Sequence, residues 1–204
     1  MAAVLLQVQA VPGNTKKAVL TMTDAGFDVS GVSLSWLEID RVRYSAVDRH
    51  INGGYMGTTF TIEVGNAAKK KTTFMLDSGT TGALKTKIDH ERRDRNKAEW
   101  IKAVEILEDR VCVPLIAATV TTVLQGGSTE LGGLTLDARG VHKPGLFSKS
   151  VAWPQVARTE VRHPYFRVLV RAGDKTKKGL EVPNGGWNLV LLPRVITMLG
   201  QRLG

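Results

Sequence analysis

The run Phe74-Met75-Leu76-Asp77-Ser78-Gly79-Thr80-Thr81-Gly82 leads three apolar residues straight into an acid and then into a glycine-rich turn. An aspartate that ends an apolar strand loses solvation unless it accepts hydrogen bonds. Ser78, Gly79 and Thr80 offer hydroxyls and unhindered backbone N–H groups for that purpose. Working outward, residues 59–64 and 72–76 alternate apolar and polar side chains and read as two strands. The lysine-rich stretch 65–71 joins them as a solvated loop.

The same alternation fills the first quarter of the chain, at residues 6–11, 19–23 and 32–36. Turn clusters at Pro12-Gly13-Asn14 and Asp24-Ala25-Gly26 separate these strands. The glycine-rich break Asn52-Gly53-Gly54, followed by Gly57, predicts a boundary near residue 50. An N-terminal β extension over residues 1–49 and a second domain over 50–204 follow from it.

Downstream of the acid the period changes. Trp100, Val104 and Leu107 recur at helical spacing, so residues 89–110 read as one amphipathic helix. Residues 119–124 read as a further strand, and the pairs Gly126-Gly127 and Gly132-Gly133 as a mobile hairpin tip. Residues 165–170 and 179–182 form a second hairpin about a turn holding Asp174, Lys175, Lys177 and Lys178. Residues 187–192 close the chain as a strand. Pro193 then opens a short helix and Gly200 stops it. No internal repeat is visible, and the expected class is mainly β with one or two helices.

Of the 204 residues, 43% are hydrophobic and 23% charged, which excludes wholesale disorder, a collagen-like repeat and a coiled coil. Twenty-eight Lys and Arg against nineteen Asp and Glu leave a net charge of +9, which favours acidic partners. The single cysteine, Cys112, excludes an intramolecular disulfide and a multi-cysteine zinc site. Its setting, Val111-Cys112-Val113-Pro114, reads as a buried structural thiol. His50, His90, His142 and His163 show no short metal-ligand spacing, so they read as surface or loop residues and no metal is expected. The first eleven residues lack the basic leader of a signal peptide, and no stretch approaches the roughly 20 apolar residues of a membrane span. The expectation is a protein of the cytoplasm or of a virus-like particle, neither secreted nor held in a membrane.

Strand, hairpin, apolar strand, Asp-Ser-Gly-Thr and then a short strand over residues 83–86 resembles the opening of an aspartic protease lobe. The likeness is to the retropepsin type of retroviruses and long-terminal-repeat retroelements, including the Copia kind. It is closest over Leu76-Asp77-Ser78-Gly79-Thr80-Thr81-Gly82-Ala83-Leu84. The resemblance implies an acid-protease-like half-barrel that hydrolyses extended polypeptide, its own precursor included, without metal or organic cofactor. Asp77 would be the catalytic acid, supported by Ser78, Gly79, Thr80 and Thr81. Gly126, Gly127, Gly132 and Gly133 would form a flap. Because the motif occurs once, two Asp77 carboxyls sharing a proton require a homodimer.

Two other classes compete. Asp-Ser-Gly also surrounds the nucleophile of chymotrypsin-like enzymes. Here, though, Ser78 lies in the first half of the chain, and Leu76 and Thr80 stand where that family has glycines. The alternative without catalysis is a basic all-β protein, nucleic-acid-binding or viral structural and capsid-like. Its phosphate contacts would come from Lys69 to Lys71, Arg92, Arg93, Lys97 and Lys175 to Lys178.

Overall fold

The computed structural model describes residues 2–10, 18–78, 90–146 and 148–204. Among these residues it is mainly β, with fourteen strands in four antiparallel sheets. The chain divides into two compact units, Met1–Val111 and Cys112–Gly204.

In the first unit, β1 (Val4–Gln9), β2 (Val19–Thr23), β3 (Gly26–Val29) and β4 (Val32–Ser35) form a four-stranded meander. A single turn of 3-10 helix, Trp36–Glu38, leads into a three-stranded sheet of β5 (Arg41–Ile51), β6 (Gly54–Gly65) and β7 (Lys71–Asp77). Alternation along these strands buries Leu20, Met22, Phe27, Leu34, Phe60, Ile62, Phe74 and Leu76. Helix α1 (His90–Leu107) adds Ala103 and Leu107 to that core. Trp100 of α1 lies over the three-stranded sheet, its indole N–H donating to the Thr61 carbonyl at 3.2 Å. The ring centroid of Trp100 is 5.7 Å from that of Phe60, and Tyr44 meets Trp100 edge-on at 6.1 Å.

The second unit begins with α2 (Val113–Leu124), followed by β8 (Thr129–Leu131), β9 (Leu134–Asp137), β10 (Gly140–Lys143) and β11 (Lys149–Ala152). A 3-10 turn, Trp153–Gln155, then leads into β12 (Val156–Arg162), β13 (Tyr165–Ala172) and β14 (Lys175–Pro183). Helix α3 (Leu192–Leu203) closes the unit, burying Leu192, Val195, Ile196 and Leu199.

The two units share one plan: a four-stranded sheet, a tryptophan-led 3-10 turn, a three-stranded sheet and a closing helix. The match extends to individual hydrogen bonds. Thr23 Oγ1 accepts from the amides of Ala25 and Gly26, both at 3.2 Å. Asp137 Oδ1 accepts from those of Arg139 and Gly140, at 2.7 and 3.1 Å. The indole N–H of Trp36 donates to the Thr23 carbonyl at 3.0 Å, and that of Trp153 to the Asp137 carbonyl at 2.9 Å. Cross-strand pairs repeat as well, Phe60 with Leu76 and Ile62 with Phe74 against Phe166 with Val182 and Val168 with Leu180.

Several expectations need correction. The glycine-rich break near residue 50 is a hairpin tip, because Asn52 and Gly53 take positive φ values of 51° and 79° and β5 pairs with β6 on either side. The chain divides at Val111/Cys112 instead. Residues 119–124, expected as a strand, lie in α2, where Ile116, Thr119, Val120 and Val123 share the buried face. Packing of that face, with Pro114 in the first turn, outweighs the strand preference of its Val and Thr residues. Residues 187–192, also expected as a strand, instead hold a turn with Asn188 at φ 61°, a 3-10 turn Leu189–Leu191 and the first residue of α3, which runs through Gly200 to Leu203. A short continuous apolar run fits either structure by periodicity alone. The expected strand over residues 83–86 lies outside the described residues. The helix at Trp100 and the hairpin of residues 165–182 form as expected, but the hairpin tip is Gly173-Asp174, so Lys175 to Lys178 are strand residues.

A Cβ built on Gly26 would stand 2.3 Å from the Leu34 carbonyl oxygen, and one on Gly140 2.1 Å from that of Val151. Both obstacles are backbone atoms that no side-chain rotation relieves. Gly26→Ala and Gly140→Ala should therefore each destabilise the fold by about 2–3 kcal/mol, the upper end for single substitutions. Gly31→Ala, at a positive φ but in open space, should cost less. Urea unfolding of the three variants checks the order.

Candidate functional site

Asp77 is the last residue of β7 and pairs with Thr59 of β6. Arg49 of β5 reaches across the sheet, and its Nη2 stands 2.5 Å from Asp77 Oδ1. The Asp77 side chain is 39% exposed, so this is a surface ion pair. Ser78 is fully buried, and its Oγ donates to the Thr58 carbonyl at 2.8 Å and accepts from the Thr58 amide at 2.9 Å. It therefore extends the sheet pairing by one residue. Thr58 Oγ1 donates in turn to Asp48 Oδ1 at 2.7 Å. Because side chains alternate across a sheet, the row Asp48–Thr58–Ser78 faces away from the row Val47–Thr59–Asp77. Asp48 is thus no partner for an Asp77 dyad. The supporting residues Gly79, Thr80 and Thr81 lie outside the described residues.

The glycines expected to form a flap fall in two different structures. Gly126, at φ 85°, and Gly127 end α2, with Gly127 N–H bonded to the Thr122 carbonyl at 2.9 Å and Gly126 N–H to that of Val123 at 3.0 Å. That pair of bonds caps the last turn of the helix in a Schellman motif. Gly132 and Gly133 form the two-residue tip between β8 and β9. This tip is docked: the Gly132 amide donates to the Trp187 carbonyl at 3.0 Å, and a Cβ there would stand 2.3 Å from Leu189 Cδ1.

Cross-strand placement assembles a group that the sequence does not announce. His142 Nδ1 lies 2.8 Å from Ser150 Oγ, and its Nε2 lies 2.9 Å from Asp137 Oδ1. Burial pushes the Asp137 carboxyl up, but hydrogen bonds from His142 and from the amides of Arg139 and Gly140 outweigh it and hold the group below the usual carboxylate range. Serine, histidine and aspartate in a line suggest nucleophilic catalysis, and the repeat supplies a plainer account. The matching places in the first unit hold Thr23, Asp28 and Ser33, and Ser33 donates to Asp28. Both units thus tie the same pair of strands with polar side chains. The Gly-x-His spacing after the Asp137 turn, set against Gly26-Phe27-Asp28, was the available sequence signal.

Charge is distributed unequally. Cys112–Gly204 contains twelve Lys and Arg against five Asp and Glu, whereas Met1–Val111 contains sixteen against fourteen. Among the described residues there is no cluster of three or more His, Cys, Asp or Glu placed to hold a metal ion. No described helix is long and apolar enough to cross a membrane. No protein family, curated protein or solved structure matches the chain.

The depressed Asp137 carboxyl makes a directional prediction. A group whose folded pKa lies below its unfolded value stabilises the fold above the ordinary aspartate range, near 3.9, and that contribution is lost as pH falls through the folded value. Asp137→Asn should therefore be less stable than the parent at neutral pH, with the gap narrowing on acidification. Thermal melts of the two proteins between neutral and acid pH measure it.

Proposed function

We propose that the protein is a non-catalytic binding protein, two copies of one small β unit, of which the second engages an acidic partner. The observation that carries this reading is the segregation of charge, seven net positive charges in Cys112–Gly204 against two in Met1–Val111. A shared framework with different surface residues suits recognition, because exposed side chains vary without disturbing the core beneath them.

The aspartic endopeptidase reading is the weaker of the two on this geometry. A second carboxyl has to face Asp77, and the corresponding place in the second unit, paired with Tyr165 at the end of β14, holds Pro183. A homodimer would have to supply it, and Arg49 already occupies Oδ1 of the acid.

Retention of the full chain on a sulfated polysaccharide column tests the proposal. Replacing Arg158, Arg162 and Lys175 with Gln should lower the eluting salt concentration clearly more than replacing Lys69, Lys70 and Lys71, although each triple variant removes the same charge. Equal losses, or none, would count against it. In parallel, Asp77→Asn should change stability by no more than about 1 kcal/mol, and the parent should leave an unfolded polypeptide intact. Cleavage that disappears in Asp77→Asn and falls on dilution would establish the homodimeric protease instead.

A further inference from the structure

Between β11 and the β13–β14 hairpin of the second unit lies a groove of about 340 Å³, at the small end of ligand sites, which run from roughly 300 to 1,000 Å³. Lys149, Arg171, Lys177 and Lys178 line it, Val151 and Val170 contribute apolar surface, and no acidic residue is among the described lining residues. Four cations around one groove repel each other, a cost that a bound anion removes.

The strand that carries two of these lysines is irregular next to them. Here the register slips, with Val168 pairing with Leu180 and Leu169 with Lys178, so Gly179 is an extra residue in β14. The bulge lies directly beside Lys178, and Lys177, Lys178 and Gly179 all line the groove. Glycine is required at the bulge, since a Cβ on Gly179 would stand 2.6 Å from Val170 Cγ1 and 3.1 Å from the Val168 carbonyl oxygen. At one end, Arg171 Nη1 donates to the Pro154 carbonyl at 3.0 Å, which anchors the guanidinium. Lys178 has a carboxylate partner in Glu181, 3.6 Å from its Nζ, and that carboxylate is itself bonded to Arg167 Nε at 2.6 Å.

We infer that this groove binds a compact phosphate-bearing ligand, either a soluble phosphate ester or an anionic lipid headgroup. The inference rests on the acidic-partner reading and narrows it to one place and one chemistry. A phosphomonoester presents several acceptor oxygens to a planar guanidinium and to the three-donor ammonium groups of lysine. The volume suits one such group, not a long polyanion. Leu146, 95% exposed on the turn between β10 and β11, would add an apolar contact only if the phosphate belongs to a bilayer.

The full chain is tested with inorganic pyrophosphate by calorimetry and with phosphatidylcholine vesicles containing phosphatidic acid by sedimentation. Binding of at least one probe should weaken about tenfold or more in Lys149→Gln/Lys177→Gln, because charge-assisted hydrogen bonds are lost. The control Arg139→Gln/Arg202→Gln removes equal charge from the same unit and should have little effect. Leu146→Ser should weaken vesicle binding alone if the source is a headgroup and leave pyrophosphate binding unchanged. Equal losses in the groove and control variants would overturn the groove while leaving an acidic partner in place. So would preferential binding of a DNA duplex that neither pyrophosphate nor the vesicles displace. Failure of every anionic probe to bind would overturn the acidic-partner reading itself.

Discussion

The approach of one strand's backbone to the next at Gly26 and Gly140 is the constraint on which both units depend. With a carbonyl oxygen standing where a Cβ would be, only glycine allows the third strand of each four-stranded sheet to start where it does. The turn before it is held by a side-chain oxygen, from Thr23 or Asp137, and the preceding carbonyl receives a tryptophan N–H. That indole belongs to the 3-10 turn leading into the three-stranded sheet. One tight turn therefore orders the first sheet and directs the chain into the second.

A framework held this way tolerates change in the rest of the unit. The strand tie between the third and fourth strands is Ser33 with Asp28 in one unit and Ser150 with His142 and Asp137 in the other. The third strand of the second sheet ends in Asp77 in one and Pro183 in the other. The second unit also carries a bulge at Gly179 and most of the net charge. What the units share is packing and turn geometry, whereas what separates them lies in strand side chains and one bulge.

The duplication escapes a reading of the sequence for a physical reason. The signals that recur are short: a glycine after a polar turn, a tryptophan before a strand, and an aromatic residue two positions ahead of a branched aliphatic one, as in Phe60-x-Ile62 and Phe166-x-Val168. Unequal connections separate them. The turn between the third and fourth strands is Ser30-Gly31 in one unit, while Pro144 to Ser148 fill the gap in the other, and β5 and β6 are longer than β12 and β13. No fixed period survives, although the three-dimensional register does. The Asp-Ser-Gly motif draws notice because an acid after an apolar strand is unusual. Its charge finds Arg49 across the sheet, a partner 28 positions away in the chain.

The mainly β character, the amphipathic helix through Trp100, the hairpin of residues 165–182, the lone buried cysteine and the basic balance are all legible in the sequence. All of these follow from local periodicity, turn residues or simple counting. Residues 113–124 are helical because of packing, since burial of one face outweighs the strand preference of Val and Thr. Strand pairing on either side also makes Asn52-Gly53 a hairpin turn within a unit instead of a division of the chain. Likewise, the meeting of Lys149 and Arg171 with Lys177 and Lys178 depends on the pairing of β13 with β14 and on the packing of β11 against β14. Strand pairing and register bring distant residues together, and a one-residue slip changes which side chains share a face.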